Sequence, residues 1–346
     1  MFIGNKKIGN SQPTYIVAEM SANHGGNIKN AKKLIKDAKK VGADAIKLQT
    51  YTPDTITFKS NKKDFRIDKN SPWQKEKTLW NLYNQTYTPF EWHEELFSYA
   101  EEVGIDIFST PFDGSAVALL EDLNCICYKI ASPEIINIPL LEKVAKTKKP
   151  IIISTGVCNL KELDLAVKTI TKYNEDLIVL KCTTAYPAPI EEMNLHTITA
   201  YKKRYKCLSG ISDHSNGYLA SVISTSLGGN MIEKHFKSDL NIYSHDSFFS
   251  LNKKEFKEMV DNVRSTEKCL GRINFEISSS SKSSINSRSS IYVIKNLYQG
   301  DRITQEEIKV IRPGYSLNPI YYKKIIGKKV KKDLIPGDRI SLDDIE

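Results

Sequence analysis

The stretch CLSGISDHSNGYLASVISTSLGGNMIEKHF, Cys207 to Phe236, reads as two short strands with a helix between them. LSGI and NMI are apolar or β-prone runs, and each leads to a histidine, His214 or His235. Between them YLASVISTSLGG has helical spacing and closes on Gly228-Gly229, a stop signal. The two strand ends of a β-α-β unit are neighbours on one edge of the sheet. His214 and His235 are therefore candidates to point into one site and hold one metal ion. Two buried, hydrogen-bonded imidazoles are the alternative.

The same alternation extends outward in both directions. TYIVAEM, DAIKLQTY, DIFSTPF, CYKIAS, PIIISTG and LIVLKCTTAYP read as strands, each followed by a helical segment. NKKEFKEMVDNVRSTEKCLG reads as the last helix. The strands are apolar and β-branched, as parallel strands buried on both faces are. Eight such units in about 270 residues predict a closed α/β barrel, the (β/α)8 or TIM fold. A doubly wound open sheet is the alternative. Residues 52–90 are a long polar insertion, of the kind that serves as a lid over a site.

Composition sets limits on function. The chain has 346 residues, 40% hydrophobic and 26% charged, an ordinary globular balance. No run of about 18 apolar residues is present, so no membrane span or membrane partner is expected. MFIGNKKIGN does not read as a signal peptide. The net charge is +9, but the lysines are dispersed and mixed with acids. That argues against a nucleic-acid partner and suits a small anion. The six cysteines show no paired spacing, which predicts reduced thiols and a cytoplasmic protein.

A barrel gathers its strand ends on one face, where barrel active sites lie. The polar residues there are Glu19; Lys47 and Gln49; Ser109 and Thr110; Lys129, Ser132 and Glu134; Ser154 and Thr155; Lys181, Thr183, Thr184 and Tyr186; Ser212 and His214; Glu233 and His235. A hydroxyl after a strand is often only a helix cap. A lysine in an apolar strand is costly to leave unpaired. Lys47, Lys129, Lys181 and Lys234 sit in or near strands, and at least two are expected in the site, the others snorkelling outward. With the hydroxyls they suit a phosphate and a carboxylate.

The expected domains are a barrel over 1–271, a serine-rich linker over 272–290 and a small unit over 291–346. The small unit carries a weak repeat, Gly300-Asp301-Arg302-Ile303-Thr304 and Gly337-Asp338-Arg339-Ile340-Ser341. About 55 residues form a marginal core, so this unit is expected to dock on a barrel, its own or another subunit's. Arg312, on the turn before Pro313-Gly314, reads as an anion or sugar contact or as a surface residue capping the turn.

The pieces AEMSANHGG, DAIKLQTY, FSTPFD, YKIASPE, STG, KCTTAYP, GISDHSNG and IEKHF, in this order, resemble the sialic acid synthase family. The tail, with IRPG and two GDRI segments, resembles the family's antifreeze-like SAF domain. AEMSANHGG with KLQTYTPDTITF and YTPFEWH is most similar to the pseudaminic acid branch; the N-acetylneuraminate and legionaminate branches are the alternatives.

The resemblance implies a transferase that condenses phosphoenolpyruvate with an amino sugar, lengthening it by three carbons and releasing phosphate. For the pseudaminic branch the sugar is 2,4-diacetamido-2,4,6-trideoxy-altrose, and the product decorates bacterial surface or flagellar glycans. It implies Mn²⁺ or Mg²⁺ on His214 and His235, and Glu19 as the acid beside the reacting carbons. Lys47 and Thr110 correspond to the carboxylate site. Lys129, Ser132, Ser154, Thr184 and Ser212 correspond to the phosphate cradle; Thr184 departs from the asparagine of the N-acetylneuraminate branch. Gln49, Glu134, Tyr186 and Asp246 correspond to sugar contacts. Arg312 corresponds to an arginine inserted into the partner's barrel by a domain-swapped homodimer. Two readings from other classes compete: a Schiff-base aldolase using Lys129 or Lys181, and a carbohydrate-binding barrel without chemistry.

Overall fold

A computed structural model describes residues 1–237 and 243–346. The chain divides into two compact units, Met1–Gly271 and Arg272–Glu346. In the first, eight parallel strands close into a barrel. They are β1 Tyr15–Glu19, β2 Ala45–Thr50, β3 Asp106–Pro111, β4 Tyr128–Ile130, β5 Ile151–Ser154, β6 Leu177–Cys182, β7 Leu208–Asp213 and β8 Met231–His235. β8 pairs with both β7 and β1, which closes the ring. The open-sheet alternative is thereby excluded.

The helices begin where the chemistry of their caps predicts. Asn27 caps Ile28–Lys40, Asp113 caps Gly114–Asp122 and Asn137 caps Ile138–Lys146. Asn159 with Glu162, and Asn252 with Glu255, form reciprocal boxes ahead of Leu160–Thr171 and Lys253–Leu270. The apolar faces of these helices pack on strands whose residues are almost all buried.

Register puts the polar residues together. His235 lies beside Glu19, and Glu19 beside Lys47. Glu233 lies beside Ser212, and Gln49 beside Thr110. Residues two apart share a face, so Lys47 with Gln49 and Glu233 with His235 point into the barrel. Lys234 points the other way. It is fully buried, pairs with Asp213 at 3.1 Å and donates to Ser215 O at 2.6 Å. Asp213 also accepts from Ser215 N and Oγ and from Ser221 Oγ. This knot fixes the chain on either side of His214 and directly before His235.

Residues 52–90 are more ordered than a loop. They contain helices Pro53–Ile56 and Leu79–Thr86 and two short 3-10 turns. All six cysteines are free, with Cys125, Cys127 and Cys182 buried and Cys269 exposed. Among the described residues no helix is long and apolar enough to cross a membrane.

The second unit has its own core of Ile291, Val293, Leu297, Ile303, Ile308, Ile325, Val330, Leu334, Ile340 and Ile345. The serine-rich stretch groups with this unit and carries an exposed 3-10 segment, Ser279–Ser287. The repeat is visible as paired turns. Asp301 caps Tyr298 N and Asp338 caps Ile335 N, each at 2.8 Å. Glu307 then caps Thr304 N and Asp344 caps Ser341 N, each at 2.9 Å.

Gly210 in β7 has no room for a side chain, because an added Cβ would sit 2.0 Å from Met231 O of β8. Gly210→Ala is expected to cost about 3 kcal/mol by overpacking. Lys234→Met, which strands Asp213 in the interior, is expected to cost about 3–5 kcal/mol. Urea unfolding of the two variants checks both.

Candidate active site

The strand ends surround a cavity of about 550 Å³. At its floor four buried charged groups interlock. Lys47 Nζ lies 2.7 Å from Glu19 Oε2 and 3.9 Å from Glu233 Oε2. Lys129 Nζ lies 3.0 Å from Glu233 Oε1, which also accepts from Ser212 Oγ at 3.0 Å. Lys47 Nζ donates to Thr110 Oγ1 at 2.9 Å. Burial works against the Lys47 ammonium, but Glu19 and Glu233 outweigh it and hold its pKa above the usual lysine value. Burial also resists ionisation of Glu233, yet Lys129 and Lys47 prevail and hold it below the usual carboxylate range. For Glu19 burial wins over Lys47, with Glu233 adding to it, and its pKa lies above the usual range.

Above this floor stand the two histidines, their ring centres 5.4 Å apart. His214 Nδ1 donates to Thr183 O at 3.1 Å, which directs the lone pair of its other nitrogen away from that carbonyl. His235 Nδ1 is buried without a hydrogen-bond partner. Burial, then His214 and the lysines nearby, push the His235 pKa well down, so its imidazole is neutral. Tyr186 lies 4.5 Å from the His214 ring, and Phe249 lies 4.7 Å from the His235 ring. Among the described residues no cluster of three or more His, Cys, Asp or Glu could hold a metal.

A polar chain continues along one side. Gln49 Nε2 donates to Glu19 Oε1 at 2.8 Å and to Ser21 Oγ at 3.0 Å, and Ser21 Oγ donates to Asp246 Oδ2 at 2.5 Å. On the other side Ser132 Oγ accepts from Val157 N at 2.8 Å, leaving its own proton free to donate. Ser154 Oγ and Glu134 Oε2 are buried without partners. Such orphans cost free energy unless a ligand or water meets them.

Residues 34–275 match the NeuB family, and residues 288–346 match the SAF domain. The chain belongs to the NeuB family. A pseudaminic acid synthase of Campylobacter jejuni subsp. jejuni is 43% identical over 345 residues, covering 99% of each chain. An N,N'-diacetyllegionaminic acid synthase of Legionella pneumophila is 32% identical over 355 residues, covering 99% of this chain and 98% of its own. The crystal structure of an N-acetylneuraminic acid (sialic acid) synthetase from Leptospira borgpetersenii, in complex with citrate, is 30% identical with a TM-score of 0.72. It covers 82% of this chain and 94% of that one.

In this NeuB chain Glu19, Lys47, Gln49, Thr110, Lys129, Ser132, Glu134, Ser154, Thr184, Tyr186, Ser212, His214, His235 and Asp246 all line the one cavity. Arg312 belongs to the second unit, exposed after the strand Ile308–Ile311, with a cis bond to Pro313. Of the four strand lysines, Lys47 and Lys129 face the cavity, Lys234 is locked outside by Asp213, and Lys181 turns back to Cys182 O and Thr183 Oγ1. Thr155 is spent on Leu180 O.

Asn23 and His24, in the first motif, have structural work. Asn23 Nδ2 donates to Phe236 O at 3.0 Å and to Ser250 Oγ at 2.8 Å, tying the loop after β8 to β1. His24 is buried against Trp92, its pKa lowered to about 4 by burial, and Nδ1 accepts from Gly26 N. Sequence reasoning gave no role to Glu233, which proves central to the floor. Its signal was present, since it shares a face with His235.

Glu134 supplies a pH test. Burial pushes its pKa up from the usual range to about 7. Because the folded value exceeds the unfolded one, the contribution is full below about pH 4.5 and lost as pH rises through about 7. The wild type should therefore lose about 3 kcal/mol relative to Glu134→Gln across that window. Thermal melts of both at pH 5, 6, 7 and 8 measure it.

Proposed function

We propose that this protein is a pseudaminic acid synthase, joining phosphoenolpyruvate to 2,4-diacetamido-2,4,6-trideoxy-altrose with release of phosphate. The observation that carries the reading is full-length similarity to a pseudaminic acid synthase at 43%, against 32% for a legionaminic relative, on a chain with this anion-ready cavity floor.

In this reading Lys47 and Thr110 hold the substrate carboxylate. Lys129, Ser132, Ser154, Thr184 and Ser212 hold its phosphate. Thr184 Oγ1 meets Cys182 Sγ at 3.5 Å. Gln49, Glu134, Tyr186 and Asp246 hold the sugar. Carbon 3 of the enol phosphate attacks the open-chain aldehyde and leaves an alkoxide. Water adds to carbon 2 and gives one proton to Glu19, which returns it to that alkoxide. The bond from carbon 2 to the bridging oxygen then breaks, the hydroxyl left on carbon 2 becomes the carbonyl, and its proton leaves with phosphate. Most of the rate gain is positioning and electrostatics.

His214 and His235 fit a hard divalent cation, since the buried His235 Nδ1 has no protein partner and His214, held through Nδ1 by Thr183 O, lines the same cavity. When bound, Mn²⁺ or Mg²⁺ supplies Lewis-acid polarisation of the aldehyde. Two protein ligands leave the other positions for water and substrate. Arg312 of a partner's SAF domain, reaching the sugar across a domain-swapped dimer, completes the reading.

The Schiff-base alternative is weakened by geometry. Lys129 is held by Glu233; burial lowers the Lys181 pKa, but that side chain turns to Cys182 O and Thr183 Oγ1 and does not line the cavity. A nucleophilic lysine must be neutral.

Phosphate release is expected only when both substrates are present, to vanish with chelator and to return with added Mn²⁺. Glu19→Gln is expected to lower kcat by about 10²–10⁴. A panel of 2-acetamido and 2,4-diacetamido hexoses in a phosphate-release assay tests the reading. Phosphate release with the panel's gluco- or manno-configured sugars in preference to the altrose would assign the chain to another branch.

A further inference from the structure

The insertion 52–90 takes no part in the chemistry above, yet it walls the mouth of the cavity. On one flank Tyr83 packs edge-on against Tyr51 at 5.6 Å, and Tyr51 against Phe112 at 5.1 Å. Tyr51 directly follows the strand that carries Lys47 and Gln49. On the other flank Trp73 packs 5.4 Å from Tyr186, and its Nε1 donates to His245 O at 2.9 Å. His245 Nε2 meets Glu76 Oε1 at 3.1 Å. The insertion therefore arches from the end of β2 to the loops after β6 and β8. Its cavity lining between these anchors includes Ile56, Leu79, Leu82 and Tyr83. Its polar lining residues are Arg66 and Asp68, which are exposed, Ser71, whose Oγ accepts from Trp73 N, and Thr86, whose hydroxyl is engaged by Leu82 O and Tyr51 OH.

We propose that this apolar wall is the subsite for the far end of the amino sugar, recognising the acetamido methyl at carbon 4 and the methyl at carbon 6. The inference rests on the pseudaminic reading above and adds the residues that select its substrate. The aldehyde carbon must face phosphoenolpyruvate, and that anion belongs with Lys47 and Lys129 at the floor. Carbons 4 to 6 then point to the mouth, under the arch. A hydroxyl pressed against Ile56, Leu79 and Leu82 loses its water and gains no partner. A methyl there loses nothing and buries apolar area. The Tyr83 hydroxyl offers a donor for the carbonyl of the second acetamido group.

The test is steady-state kinetics with two sugars. One is 2,4-diacetamido-2,4,6-trideoxy-altrose, and the other is 2-acetamido-2-deoxy-altrose, which has hydroxyls at carbons 4 and 6. The wild type is expected to favour the first by at least about 10-fold in kcat/KM. Leu79→Asn and, on the other helix, Ile56→Asn are expected to reduce that ratio about 10-fold with KM for phosphoenolpyruvate unchanged. Leu79→Met is expected to restore the preference. The ratio is internal to each preparation, so partial unfolding scales both sugars alike and leaves it intact. An unchanged ratio in both asparagine variants overturns the subsite. A wild type that ignores both altroses but condenses another sugar overturns the pseudaminic reading instead. The same variants, tested on that sugar and its 4,6-modified counterpart, then decide the wall separately.

Discussion

Everything in the barrel's upper half depends on two lysines and two glutamates sharing one dry floor. Lys47 answers to Glu19 and Glu233, and Lys129 answers to Glu233. Each charge is buried, so none is tolerable without the others. A hydrophobic replacement of the whole set would cost the fold little. What the set supplies is a pair of fixed ammonium groups, aimed and already desolvated, with hydroxyls of Thr110 and Ser212 beside them. An anionic substrate meets donors that need no reorganisation, which is where electrostatic catalysis gains most.

The floor is a consequence of register. β8 lies between β7 and β1, and β1 lies beside β2. Ser212, Glu233, Glu19 and Lys47 therefore come to one end of the barrel from four neighbouring strands. Lys129 arrives from β4, 104 residues before Glu233, across the barrel interior. The Asp213–Lys234 pair works on the other side of the same strands and keeps both histidine-bearing ends in place.

Much of this was legible in the residues. Strand-helix alternation, cap residues and closing glycines carry the barrel, because each element states its own period and ends. Lysines inside apolar strands announced a charged interior, and two histidines ending adjacent strands announced a shared site. Which lysine faces in was less legible. Lys47 and Lys234 both sit within strands, and only the pleat phase, fixed by pairing, turns one inward and the other toward Asp213. Glu233 is among the strand-end residues, but its role was not legible, because its partner Lys129 is remote in sequence and periodicity names a face, not a partner across a barrel. The arch over 52–90 was legible as a lid-like insertion by length alone. Its anchoring through Trp73 and Glu76 depends on His245, 172 and 169 residues away. The repeat in the second unit was weak in letters but plain in hydrogen bonds, since Asp301 and Asp338 cap equivalent turns.

The floor's proposed purpose is to seat phosphoenolpyruvate. Calorimetric titration of phosphoenolpyruvate into the wild type and into Lys129→Met tests that most directly. The account predicts saturable binding to the wild type and a loss of about 100-fold or more in the variant, whose Glu233 is left unpaired on that side. Equal affinity in the two proteins would contradict it.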